Sequence, residues 1–243
     1  MNYKINTHVG NFIYHWFFFV LGTLKDIDLS SKINVCFDIE DYISYQEETI
    51  NILSDLINVV PNNYTDEWTF ITHHREQGDP ELCYFLRDIF LSRIKNDFNT
   101  SGYERIYIRR SKSHLCKGNA DENFIRRRQI INEDQIVEKL SEIGIKSVYF
   151  EDYTVSEKIQ IFQNASLVVA PQSGGLLFTL FGHQNMDIVE ICPTNTHQPC
   201  NHYVDICNVL NIPFRRFDDV IKNDYHDNMI VDTEKLVNFI LDK

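Results

Sequence analysis

The residues best suited to chemistry in this chain are arginines held close together. The only dense basic stretches are Arg109, Arg110 and Lys112, followed by Arg126, Arg127 and Arg128. Guanidinium forks give paired donors to phosphate oxygens, and a cluster this local suits one pyrophosphate rather than a duplex. The apolar run 105–108 (RIYI) leads straight into Arg109 and Arg110. If that run is a strand, the turn after it presents guanidinium groups where a doubly wound sheet binds phosphate; otherwise the arginines are an ordinary solvated charge run. A second anion cradle is suggested by residues 170–176 (APQSGGL), a turn between a strand and a helix. There Ser173, Gly174 and Gly175 would bring backbone N–H groups close to a phosphate, the alternative being a plain tight turn.

Three further positions flank these two. Arg128 lies four residues before Asn132 and could add its donors to the free N–H groups of the helix that follows. Asn132 itself reads as the N-cap of that helix, with Glu133 and Asp134 complementing its dipole. Glu190 closes the apolar run 188–191, and an acid at a strand's carboxyl end can bind ribose hydroxyls or a helix start. The group Cys192, His197, Cys200, His202 and Cys207 invites a zinc reading, but it lacks the paired C-x-x-C and H-x-x-x-H spacings of structural sites. No metal site is expected. Six cysteines in a chain of 243 residues make no dense disulfide framework, so free thiols in a reducing compartment are expected.

The elements that position these residues can be read from periodicity. Residues 11–25 are almost continuously apolar and predict a helix buried on most sides. Residues 33–37 (INVCF) predict a strand, 42–58 an amphipathic helix, 59–60 and 68–72 short strands, and 80–98 a second helix with Pro80 at its start. The polar tract 96–104 separates this half from the next, giving an expected domain of residues 1–100 and another of 101–243. Beyond the boundary the order is strand 105–108, helix 133–143 with Gly144 as C-cap, strand 147–150, helix 155–164, strand 167–170, helix 176–181 and strand 188–191. Strands alternating with helices imply an α/β fold with a parallel, doubly wound sheet and a ligand beyond the strands' carboxyl ends.

Composition excludes several classes. A formal charge of -12 argues against a nucleic-acid partner or an anionic membrane, which require a basic surface. The most apolar run, residues 12–21, is shorter than a membrane span and is interrupted by His15. With no basic n-region and cleavage site, a cytoplasmic location is expected. No G-x-G-x-x-G follows a predicted strand, which ranks a dinucleotide-dependent oxidoreductase low.

The segments YIRRSKS, RRQIINEDQIVEKLSEIG, YFEDYTVSEKIQIFQNASLVVAPQSGGLLFTLF and IVEICP, in this order, resemble glycosyltransferase family 61. Members of that family include protein O-linked N-acetylglucosaminyltransferases and plant xylosyltransferases. The family's "SR(R)" strand end resembles Arg109 and Arg110, its "RxxxNE" resembles Arg128, Asn132 and Glu133, and its "E-x-(L/Y)-(S/T)" segment resembles Glu151 to Thr154. Its "NFYHWLxxxLPRL" helix resembles NFIYHWFFFVLGTL, which brings in Asn11, His15 and Trp16. The "HGAGLTN" turn corresponds to residues 172–178 (QSGGLLF), where its His, first Gly, Thr and Asn are replaced. The backbone cradle at Gly174 and Gly175 is compatible with that change, which falls on the side chains that the resemblance would have contact the sugar.

The resemblance implies a two-domain GT-B fold of Rossmann-like units facing a cleft, and an inverting transfer. A nucleotide sugar, expected to be a UDP-sugar, would donate to a hydroxyl of a glycan or glycoprotein. Arg109, Arg110, Arg128, Asn132, Glu151, Ser173, Gly174, Gly175 and Glu190 would hold the donor without a metal or other cofactor. His15 is the candidate base because imidazole titrates near neutrality, with Asp38, Glu40, Asp41, His73 and His74 as competitors. The rival reading is a non-catalytic module that binds a nucleotide sugar or a glycan.

Overall fold

A computed structural model describes residues 1–7, 12–39, 41–65, 67–71, 78–110, 129–193, 201–222 and 228–242. The chain divides into two compact units, Met1–Asn96 with Thr154–Ser156 and Asp97–Tyr153 with Glu157–Lys243. Both units are α/β with parallel sheets.

The first unit contains β1 (Asn2–Ile5), β2 (Ile33–Phe37), β3 (Ile57–Val59) and β4 (Thr69–Ile71), in the order β3-β2-β1-β4 with every pair parallel. β2 coincides with the expected INVCF strand. β1 was not expected, because NYKI is short and half polar; its pairing on both sides supplies the stability that its composition does not. Side chains alternate across a strand, and Tyr3, Ile5, Ile33, Val35, Phe37 and Ile57 are all buried on one side.

The expected single helix over residues 11–25 is instead three short pieces. They are α1 (Ile13–His15), a π-helix Trp16–Val20 and a 3-10 helix Leu21–Asp26. Consecutive rings must each find a different neighbour here: Trp16 meets Phe37 with centroids 5.2 Å apart, Phe17 meets Phe90 at 5.1 Å and Tyr14 stacks on Phe18 at 4.7 Å. A wider turn fans these rings apart, which an uninterrupted α-helix would not. The fully buried Trp16 indole donates to Thr49 Oγ1 at 2.7 Å, so burying its N–H leaves no unmet polar group. α2 (Ser44–Ile52) ends six residues earlier than the 42–58 periodicity suggests, because the chain must turn back to start β3 at Ile57. α3 (Pro80–Leu91) begins as expected at Pro80, where the Asp79 carboxylate accepts from the N–H groups of Glu81 and Leu82.

The second unit holds a five-stranded, all-parallel sheet of β5 (Arg105–Arg109), β6 (Lys146–Tyr149), β7 (Leu167–Pro171), β8 (Asp187–Ile191) and β9 (Phe214–Phe217), in the order β6-β5-β7-β8-β9. Residues alternate between two cores. Tyr107, Leu167, Val169, Val189, Ile191 and Phe217 pack against α4 (Glu133–Glu142) and α7 (Thr233–Leu241), the last C-terminal helix. On the other side Phe162 of α5 (Val155–Asn164) meets Phe178 of a 3-10 helix, Gly174–Phe181. α6 (His202–Leu210) joins β8 to β9, and a hairpin of β10 (Val220–Lys222) and β11 (Met229–Val231) precedes α7. Gly144 has φ +75°, the left-handed conformation expected of the residue that ends α4. The expected helix over 176–181 is a 3-10 helix that begins two residues earlier. Among the described residues no helix is long and apolar enough to cross a membrane.

Candidate functional site

Counted within the second unit, the strand order is 2-1-3-4-5, so the chain reverses its direction of travel across the sheet between β5 and β7. Connections leave those two strands toward opposite faces, and the gap at their carboxyl ends is where doubly wound sheets bind ligands. Arg109 and Arg110 lie at the end of β5, and Gln172 to Gly175 lie at the end of β7. Arg110 spans the gap: its Nη1 donates to the Gln172 backbone oxygen at 2.9 Å.

Arg109 behaves differently from its neighbour. Its Nε and Nη2 donate to Glu133 Oε2 at 3.1 and 3.0 Å, Nη2 also reaches Asp134 Oδ1 at 3.0 Å, and the guanidinium lies 4.7 Å from the Tyr149 ring centre. Burial by itself would lower the Arg109 pKa, but the Glu133 charge and hydrogen bonds outweigh it and hold the group above its ordinary value. Glu133 is only 4% exposed and also accepts from the Tyr107 hydroxyl at 3.1 Å and from the Arg110 backbone N–H at 3.3 Å. Glu133 therefore ties the start of α4 to the end of β5, a role beyond the dipole complement its position suggested.

Asn132 occupies the N-cap position of α4 but makes no side-chain capping bond. Its amide instead donates to the Val231 carbonyl at 2.8 Å and accepts from the Val231 N–H at 3.0 Å. This two-point contact extends the edge of β11, and it outcompetes a single capping bond. Glu151 is exposed in a 3-10 turn, Phe150–Asp152, beyond the carboxyl end of β6. Arg128 lies outside the described residues, as do Asn11, Glu40, His73 and His74.

In the glycine turn, Ser173 is extended, with φ -157° and ψ 164°, and the 3-10 helix starts at Gly174. Ser173, Gly174 and Gly175 are half-buried at the mouth of the gap. Gly175 has a packing reason to be glycine, because a Cβ there would lie 3.2 Å from Ile108 Cγ2 on β5. Gly175→Val should accordingly cost about 1–3 kcal/mol through overpacking. Urea denaturation would measure this, and an unchanged midpoint would mean that the turn relaxes freely.

Glu190 is fully buried, and its Oε2 accepts from Arg216 Nε at 2.7 Å, its partner in the β8–β9 ladder. Its position also reaches α6: burial first, and then the Glu190 charge, push the Cys207 thiol up to about 12. Arg216 was not singled out in the sequence. The two adjacent arginines between rings in FRRF, the kind of charge that edge strands carry, are the signal that could have found it. Of the cysteine and histidine group, His197 and Cys200 lie outside the described residues, and Cys192 and Cys207 are buried free thiols. Among the described residues no three His, Cys, Asp or Glu side chains are grouped so that they could hold a metal ion.

In the first unit His15 is half-buried at the junction between α1 and the π-helix, with the Phe12 and Phe19 rings edge-on at 5.4 and 5.3 Å. π turns inside helical segments recur at functional sites because they redirect a side chain that a regular helix would stack in line. Asp38 and Asp41 lie near the carboxyl end of β2.

No curated protein matches this sequence. Residues 13–189 match the family model described as Glycosyltransferase 61. That span exceeds half of the chain and includes His15, the Arg109–Arg110 strand end and the Gly174–Gly175 turn, and the protein therefore belongs to glycosyltransferase family 61.

Proposed function

We propose that the protein is an inverting, metal-independent glycosyltransferase of the GT-B type that moves a sugar from a UDP-sugar to a hydroxyl of a glycan or glycoprotein. The observation that carries this reading is the Arg110 bridge to the Gln172 carbonyl across the gap between β5 and β7. A departing UDP gathers negative charge on its pyrophosphate, and fixed donors aimed at that charge lower the barrier without reorganising. Arg110 supplies a guanidinium, and the turn at Ser173, Gly174 and Gly175 supplies backbone N–H groups. A phosphate oxygen is a stronger acceptor than the neutral Gln172 carbonyl, so Arg110 can exchange one for the other. Glu151 is assigned to donor hydroxyls, Arg128 to phosphate, and His15 to the acceptor as general base; Glu190, fully buried against Arg216, could reach a donor hydroxyl only by leaving that pair.

The same turn also favours a second reading, a module that binds a nucleotide sugar without turnover. Leu177 and Phe178 stand where the family has Thr and Asn, and both are buried in the core. Hydrolysis of UDP-sugars, measured directly, separates the two.

The decisive experiment is a UDP titration followed by thermal shift, since a ligand that binds only the folded state raises its stability. UDP should stabilise the protein equally with EDTA or manganese present. Arg110→Ala should weaken UDP by about 1.5–3 kcal/mol, the worth of a hydrogen bond to a charged group, a larger effect than the loss of its Gln172 bond has on stability without ligand. Arg109→Ala should show the opposite pattern, losing stability before affinity, because its donors already serve Glu133 and Asp134. UDP binding that needs manganese, or that survives Arg110→Ala in full, would overturn the assignment.

A further inference from the structure

All-parallel sheets are normally covered on both faces, yet part of one face of the first unit's sheet reaches solvent, although Cys36 on that face is buried. On that face Asn2, Asn34 and Asn58 are register partners across β1, β2 and β3. Their amides form a ladder, Asn34 Nδ2 donating to Asn2 Oδ1 and Asn58 Nδ2 to Asn34 Oδ1, both at 3.0 Å. Beside it on the edge strand β4, Phe70 is 70% exposed, and the half-buried Trp68 immediately precedes that strand. On the same face, among the described residues, Lys4 donates to Asn62 Oδ1 at 2.8 Å and lies 3.9 Å from Asp38, which offsets its charge.

We propose that this face docks a neutral oligosaccharide. An amide ladder offers a donor at one end, Asn2, and an acceptor at the other, Asn58, a pattern that matches neighbouring sugar hydroxyls. The aromatic pair offers flat rings to the C–H face of a pyranose. Among the described residues the asparagine row is neutral, in a chain of formal charge -12, which suits neither a polyanion nor a basic peptide. A protein partner would favour an apolar centre over a line of amides. The inference rests on the reading of the acceptor as a glycan, for which this face would provide a hold separate from the reacting hydroxyl.

The chain has two tryptophans, and Trp16 is fully buried, so iodide quenching reports on Trp68. The probes are cello-, xylo-, manno- and chitotetraose, each titrated against the full chain. At least one should protect Trp68 saturably. Phe70→Ala should weaken it about 10-fold, Asn58→Ala should weaken it less, and Phe70→Tyr should restore binding, as expected of an aromatic anchor. Phe70 is exposed, so the variants should keep the parent melting temperature. The proposal is overturned if none of the four protects Trp68, or if protection is undiminished in Phe70→Ala. It is equally overturned if protection follows protein concentration instead of sugar, which assigns the face to a second copy of the chain. UDP thermal shift in the same samples keeps the two readings apart: UDP binding without sugar binding removes the glycan face and leaves the transferase.

Discussion

Glu133→Ala should destabilise the protein by about 3–5 kcal/mol, the cost of leaving one partner of a buried ion pair alone. Glu133 accepts from the Tyr107 hydroxyl, from Nε and Nη2 of Arg109, and from the Arg110 N–H. The Tyr107 pKa is held well above its ordinary value by burial first and the Glu133 charge next, so the hydroxyl stays a donor. Removing the carboxylate strands that donor and leaves Arg109, whose side chain is 15% exposed, with only the Asp134 carboxylate at the surface. Against a total stability of roughly 5–15 kcal/mol, such a loss is large. Urea denaturation should show a lower midpoint with an unchanged slope. The double variant Glu133→Ala with Arg109→Ala should recover part of the loss, because deleting both partners leaves fewer unmet groups than deleting one. A single variant within about 0.5 kcal/mol of the parent, the usual range for surface substitutions, would show that Glu133 does not hold α4 to β5.

His15→Ala should leave UDP affinity unchanged and lower sugar transfer by roughly 100-fold or more, the scale of a lost general base. His15 stands at the start of the π-helix, half-buried between Phe12 and Phe19. The check is single-turnover transfer to an acceptor with the donor saturating, alongside UDP thermal shift. Full activity in the variant would leave His15 a packing residue and move the search to Asp38 and Asp41. A fall in UDP affinity of the same size would count equally against the assignment, since a base for the acceptor contributes nothing to binding the nucleotide.

Legibility in the sequence followed length and periodicity. INVCF and RIYI could be read as strands because each is a compact β-branched run between polar residues, and residues 155–164 as a helix because two full turns repeat one apolar face. β1 escaped because four half-polar residues carry no pattern of their own. The helices over 42–58 and 80–98 were drawn too long, since periodicity cannot register where the chain must turn. In the site, Arg109 and Arg110 are indistinguishable in sequence. Only the position of Glu133 on α4 separates them, giving one a buried carboxylate and the other the span to Gln172.

The sequence by itself determined that this is an α/β chain, that its arginines follow a strand and its paired glycines follow another, and that it belongs among the family 61 glycosyltransferases. The first two are local facts, set by residue type and spacing within a dozen positions, and the third follows from the order of such segments over residues 13–189. The tertiary structure alone decided the strand order, and with it that the end of β5 lies beside the end of β7, sixty residues further on. It also decided that Asn132 serves Val231 instead of its own helix, and that Glu190 meets Arg216. Each of these pairs elements far apart in the chain, and such pairings are chosen by burial of whole faces and by the need to satisfy every buried polar group. Neither condition can be read from one segment at a time.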